Sequence, residues 1–300
     1  MWVPAPMSVL GSAAMYALLF IPWFRLSSWD IPLPFSLPVL GDTLSIQPFG
    51  VLVATGVLLG AWVAGRFAER NGLDTVATGD LVTYAVVTGF IAGYFLNGIL
   101  YERETFMAAM RDPSLFLSTW LGLSSYGGFF GGILGCFIWR WRKKQDLLPY
   151  ANAICFGLPV GWLFGRLGCF VVHDHPGKVT DFFLAVDAYR FGAPPFHPRH
   201  DLGLYEVLYS LLIIALFFWL ESRKKRPVGF YCALLPIAYA PVRFFLDFLR
   251  AAPLEGGDVR YGGLTPAQWA SILMLGVGLA VWQFGVKPRM ANEQTPPASA

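Results

Sequence analysis

Long apolar runs recur along this 300-residue chain, each about as long as a bilayer is thick. A hydrocarbon core takes about 20 apolar residues per helix, because the backbone must satisfy its own hydrogen bonds there. The runs predict helices at 7–24, 48–68, 80–100, 115–139, 150–170, 204–221, 229–249 and 264–285. Hydrophobic residues make up 56% of the chain and charged residues 14%, a balance that excludes a soluble enzyme. The expected fold class is therefore all-α: a polytopic integral membrane protein of seven to eight transmembrane helices with an extracytoplasmic loop region. The first run has no basic residue before it and no small-residue cleavage site after it, so 1–29 is read as an extra helix, spanning or interfacial. Residues 30–286 form the membrane domain. The Pro-rich end, 287–300, reads as a disordered cytoplasmic tail.

The basic clusters follow alternate helices: Arg66 and Arg70; Arg140, Arg142, Lys143 and Lys144; Arg223, Lys224, Lys225 and Arg226; Lys287 and Arg289. The positive-inside rule puts all four in the cytoplasm and sends the long loop 171–203 outward. A formal charge of +3 dispersed in this way orients a membrane protein and gives no footprint for nucleic acid. The four cysteines, Cys136, Cys155, Cys169 and Cys232, lie in or beside apolar runs and lack paired zinc-ligand spacing.

Ionisable residues at membrane depth are costly unless paired or functional, which singles out Arg166 and Arg243. Arg166 lies between two glycines in Gly165-Arg166-Leu167-Gly168-Cys169-Phe170. Arg243 stands one helical turn before Asp247. One reading pairs Arg243 with Asp247 and lets Arg166 snorkel to the interface. The other brings both guanidinium groups onto a lipid phosphate, which the arginine fork binds in bidentate fashion. Glu206, beginning a helix after Leu204-Tyr205, needs a cationic partner, and either arginine suits. Ser124, Ser125 and Tyr126 open a glycine-rich segment in which Gly127, Gly131 and Gly135, and also Gly128 and Gly132, recur every four residues. That spacing makes a face for close helix packing, and the hydroxyls before it are placed to touch a headgroup.

The Gly165–Phe170 run, the glycines after Ser125, His197-Pro198 followed by Leu204-Tyr205-Glu206, and Arg243-Phe-Phe-Leu-Asp-Phe-Leu-Arg250 stand in the order found in prolipoprotein diacylglyceryl transferases. The chain resembles that family over roughly 30–285, including Gly-Gly-Leu-Thr-Pro-Ala-Gln-Trp before the last helix. The resemblance implies transfer of the diacylglyceryl group of phosphatidylglycerol to the lipobox cysteine of a preprolipoprotein signal peptide. Glycerol phosphate is released at the outer face of the bacterial inner membrane. The reaction needs no cofactor and no metal. The resemblance makes Arg166 and Arg243 the essential arginines and Gly177 the glycine closing the signature. It makes Glu206 the acid of the Leu-Tyr-Glu segment and places Asp247 where relatives usually carry Glu. Tyr126 before Gly127 and Gly128 replaces a common His, and Cys169 replaces an Asn common in one branch.

A thiol with a reference pKa of about 8.5 needs a base or a positive field to become the nucleophile. Tyr126 is a poor resting base, at about 10, so His173, Asp174 and His175 are the candidates to replace the missing histidine. Alternative readings remain at this level: a specialised or inactive paralogue, an anion or lipid transporter built on the same charges, or a metal-dependent membrane hydrolase. The last would use His173, Asp174, His175, His197 and His200.

Overall fold

The computed structural model describes residues 20–37, 41–100, 102–112, 124–187, 195–252, 258 and 260–294. The elements are β1 (Trp29–Leu37), β2 (Gly41–Ile46), α1 (Pro48–Arg70), α2 (Thr75–Leu100), α3 (Arg103–Arg111), α4 (Ser125–Lys143) and α5 (Leu147–Val172). They continue with β3 (Pro176–Val179), β4 (Arg199–Asp201), α6 (Leu202–Arg223), α7 (Phe230–Leu246) with a 3-10 turn (Asp247–Leu249), and α8 (Pro266–Ala280). A π segment (Val281–Val286) leads from α8 into α9 (Lys287–Gln294). Six helical stretches are long and apolar enough to cross a membrane: Pro48–Arg70, Thr75–Ile99, Leu147–Val172, Leu202–Arg223, Phe230–Leu249 and Pro266–Ala291. A further helix, α4, carries Arg140, Arg142 and Lys143 in its last turn. The protein is an all-α polytopic membrane protein, as its apolar runs imply.

Helix ends fall where side chains replace the missing backbone partners. Ser124, Asp146, Asp201 and Thr265 cap α4, α5, α6 and α8 by accepting from Gly127, Leu148, Leu204 and Gln268 amides. Lys144 and His173 end α4 and α5 in the left-handed region. Two tight seams build the bundle. A Cβ on Gly56 of α1 would lie 2.6 Å from the Gly161 carbonyl of α5, and one on Gly127 of α4 would lie 2.6 Å from the Ala92 carbonyl of α2. Only glycine allows backbones so close. Broad apolar faces point away from the protein, with Leu58, Trp62, Phe130, Leu212 and Phe284 exposed where acyl chains would lie.

Connectivity sorts the ends of the bundle. The four basic clusters share one end, where Lys225 reaches the Arg70 carbonyl at 3.5 Å. The caps Ser124, His173, Asp201 and Thr265 lie at the other.

Four expectations change. The predicted helix 7–24 does not extend through its described part, since residues 22–28 carry no helix and Ile21 pairs instead with Val186. Pro22 disfavours helix at the residue before it, and the Ile21 N–H donates to the Ala185 carbonyl while the Ile21 carbonyl accepts from the Asp187 N–H. Residues 1–19 lie outside the described residues, as do 115–123 of the predicted helix 115–139, whose described part starts at Ser125 and runs on to Lys143. β1 and β2 pair antiparallel, where a loop was expected, and β3 pairs with β4 inside loop 171–203. Helix continues to Gln294, beyond the point where a disordered tail was expected, while 295–300 lie outside the described residues.

Candidate active site

Arg166 sits near the end of α5, Glu206 on the second turn of α6, and Arg243 on the last turn of α7. Their side chains meet. Arg166 Nε lies 3.0 Å from Glu206 Oε2, and Arg243 Nε stands 3.6 Å from Glu206 Oε1. One carboxylate, 1% exposed, thus lies between two guanidinium groups on two other helices. Arg243 Nη1 also donates to Asp247 Oδ1 at 2.7 Å. Two cations against two carboxylates leave the cluster neutral, which makes its burial tolerable.

Each arginine has an aromatic residue one turn earlier. Trp162 lies under the Arg166 guanidinium, 4.8 Å from Cζ to the ring centroid. Tyr239 donates its hydroxyl proton to Glu206 Oε2 and accepts from Trp162 Nε1 at 3.1 Å. A second layer holds Asp247, whose other oxygen accepts the Thr265 hydroxyl proton. Thr265 and Gln268 form a capping box at the start of α8, and Gln268 Nε2 donates to the Phe244 carbonyl at 3.2 Å. Asp247, Thr265 and Gln268 are all buried. The direction of Arg243 is therefore set by the N-terminus of the next helix.

Beyond α5 the chain turns at His173 and returns over the cluster. His173 Nδ1 and Asp201 Oδ2 are 2.7 Å apart, with both side chains nearly fully buried, and Trp23, Phe24 and Phe170 pack around the imidazole. Because Asp201 also caps α6, this pair ties the end of α5 to the start of the helix carrying Glu206. His175 points the other way: Nδ1 is bonded to Asp174, and Nε2 lies 3.5 Å from Arg166 Nη1. Burial pushes the Asp174 carboxyl up, but the His175 bond and charge, a Cys169 hydrogen bond and Arg166 together hold it below its usual range.

A model of prolipoprotein diacylglyceryl transferases matches residues 37–284. The chain belongs to that family. It is similar to phosphatidylglycerol–prolipoprotein diacylglyceryl transferases of Nitratidesulfovibrio vulgaris (28% identity, 79% of this chain and 88% of the relative), Pseudoalteromonas atlantica (29%, 85% and 91%) and Azotobacter vinelandii (30%, 83% and 94%). Membership makes this a transferase family fold with its polar cluster set at one end of the bundle.

Among the residues singled out in the sequence, Arg166, Arg243, Glu206, Asp247, Asp174 and His175 come together in this transferase fold. Gly177 lies in β3, where a Cβ would come within 2.8 Å of both the His200 and Leu249 carbonyls. Its own carbonyl accepts from Arg199 Nη1 at 2.9 Å, so it fastens the loop to the end of α7. Gly127 packs against α2, and Gly128 faces open space. Tyr126 stands in the first turn of α4, but its side chain, like that of Ser125, lies outside the described residues. The five-residue metal set does not assemble, since His173 bonds Asp201, His200 bonds the Tyr205 hydroxyl at 2.7 Å, and His197 is exposed. Trp162 and Tyr239 went unmarked in the sequence, and Thr265 and Gln268 figured there only in the segment that introduces the last helix. The i,i+4 spacing of Trp162 to Arg166 and of Tyr239 to Arg243 was the available signal.

Proposed function

We propose that this protein transfers the diacylglyceryl group of phosphatidylglycerol to the lipobox cysteine of a prolipoprotein signal peptide. The observation that carries the reading is the placement of Arg166 and Arg243 on either side of Glu206. Two converging guanidinium groups suit a phosphodiester at the membrane surface. The thiolate attacks the glyceryl carbon, an S–C bond forms, and the C–O bond to phosphate breaks. Glycerol phosphate leaves with the charge that develops on that oxygen. Donors fixed in advance at this position stabilise the transition state, each by roughly 3 kcal/mol, and need no reorganisation when the charge appears. Glu206, Tyr239 and Trp162 hold the arginines in place. No cofactor enters.

The thiol proton goes to His175 in this reading. Of the histidines considered, His173 is committed to Asp201 in a buried pair, whereas His175 is part-exposed, bonded to an ionised Asp174 and adjacent to Arg166. The Asp174 carboxylate favours the imidazolium that forms, as an orienting acid does for a general base. The end of the bundle with the arginines faces outward and the basic clusters face the cytoplasm, in the inner membrane, so the site meets an exported signal peptide.

Complementation tests the reading. In a strain depleted of its own diacylglyceryl transferase, the wild-type chain should restore growth and thioether-modified lipoprotein. Arg166→Ala and Arg243→Ala at equal membrane levels should restore neither, and the lysine variants should rescue poorly. Growth with either alanine variant would remove the phosphate clamp.

A further inference from the structure

Cys169, Asp174 and His175 bring three donor atoms of different kinds to one spot. The thiol sulfur, a carboxylate oxygen and an imidazole nitrogen all lie within 4.8 Å of one another. The sequence hides this, because Cys169 belongs to the last turn of α5 while the other two follow the left-handed turn at His173 that folds the chain back. We propose that these three residues bind a divalent cation of the zinc class, and that its occupancy blocks transfer. The second half rests on the function proposed above, while the first stands without it.

The donor set selects the ion. Thiolate and imidazole suit zinc and disfavour magnesium or calcium, which take oxygen ligands. Zinc bonds of about 2.0–2.3 Å put neighbouring ligands roughly 3.5 Å apart, so atoms that lie within 4.8 Å of one another need to close by roughly 1.3 Å at most. Charge permits the ion beside an arginine. Thiolate and carboxylate offset the two positive charges, and Arg166 already has Glu206 as its partner. Access is open, since the Asp174 side chain is 42% exposed and that of His175 22%, whereas Cys169 is buried beneath them. Three protein ligands leave one position for water. Binding releases the Cys169 thiol proton to solvent, takes the Asp174 carboxylate and the His175 imidazole out of their mutual bond and fixes a cation next to Arg166. The base is then occupied, and transfer stops.

The test uses the full chain purified in detergent. One zinc ion per chain should be retained in competition with a chromophoric chelator. Cobalt(II) in its place should give the near-ultraviolet sulfur-to-metal charge-transfer band that only a thiolate ligand produces. The band should persist when Cys136, Cys155 and Cys232 are all replaced by serine and vanish in Cys169→Ser, which keeps the size and the hydroxyl donor but not the soft ligand. Zinc should inhibit transfer by the wild type at least tenfold, whereas in Cys169→Ser the rate with zinc, taken relative to that variant's own metal-free rate, should stay near one. No band in the wild type, or an undiminished band in Cys169→Ser, overturns the site. A band that behaves as expected with no zinc inhibition overturns the switch alone. If the metal-free wild type shows no transfer while the band follows Cys169, the proposed function fails and the metal site stands.

Discussion

Two seams of this bundle are closed in opposite ways. Between α2 and α4 the backbones touch: Gly127 packs on Ala92 and Gly93, and the Thr88 hydroxyl reaches the Gly131 carbonyl at 2.6 Å. At the end of α5, α6 and α7 away from the basic clusters the helices are joined through side chains, by Arg166, Glu206, Tyr239 and Arg243. Lipid offers no hydrophobic drive for helix association, so close packing and polar contacts are the two means available. The first closes backbone on backbone. The second leaves charged groups that hold the helices and, in the proposed function, also meet the substrate, so that the site is part of what closes the bundle.

The widest separation between the two seams should come from Glu206→Ala. It strands two buried guanidinium groups, and loss of a buried partner costs about 3–5 kcal/mol. A lowered melting temperature in detergent together with lost transfer is expected, and a variant unchanged in both would break the contrast. At the glycine seam, Gly131→Val should cost about 1–3 kcal/mol of stability through overpacking. Transfer per folded molecule, measured after removal of aggregate, should survive. If activity falls in proportion while the fold holds, the α2–α4 seam belongs to the site after all.

A smaller effect is expected one layer out. Thr265→Val removes the hydroxyl that orients Asp247 and through it Arg243, at about 1 kcal/mol or roughly fivefold to tenfold in kcat/KM. Thr265→Ser should restore the rate, since only the hydroxyl is needed, and a serine variant as slow as valine would assign Thr265 to packing. The smallest effect is a matter of pH. The Asp174 carboxyl is held below its ordinary value, so its contribution to stability is present above the unfolded-chain value of about 3.9 and is lost as pH falls through the depressed one. The difference in melting temperature between wild type and Asp174→Asn should stay level from about pH 8 to pH 5 and shrink only in stronger acid. A difference that vanishes by pH 5 would show that the His175 bond does not hold this carboxylate down.

The sequence made the charged members of the site legible because charge at membrane depth is improbable without a reason. Arg166, Arg243, Glu206 and Asp247 stand out from apolar runs, and the structure joins them. Trp162 and Tyr239 did not stand out, since aromatic residues in an apolar helix look the same whether they face lipid or a buried carboxylate. Thr265-Pro266-Ala267-Gln268 read as the start of a helix, which it is. That its hydroxyl also reaches Asp247, eighteen residues earlier, is a tertiary fact. Hydropathy carried the first helix to residue 24, whereas Ile21 pairs with Val186 and 22–28 carry no helix, and it gave no hint of the strand pair β1–β2, whose prolines obscure its alternation. His173 and His175 differ by two positions and serve different ends, because the left-handed turn at His173 sends one ring inward to Asp201 and the other toward Arg166.

The central claim is that the two arginines act on a phosphodiester whose glyceryl carbon is attacked by a thiol. The most direct measurement incubates the purified wild-type chain with phosphatidylglycerol and a lipobox peptide, and follows peptide mass and released glycerol phosphate together. One glycerol phosphate per thioether-linked diacylglyceryl peptide is predicted, with at least a hundredfold loss of both in Arg166→Ala and Arg243→Ala. Glycerol phosphate released without peptide modification, or equal rates in the arginine variants, would contradict it.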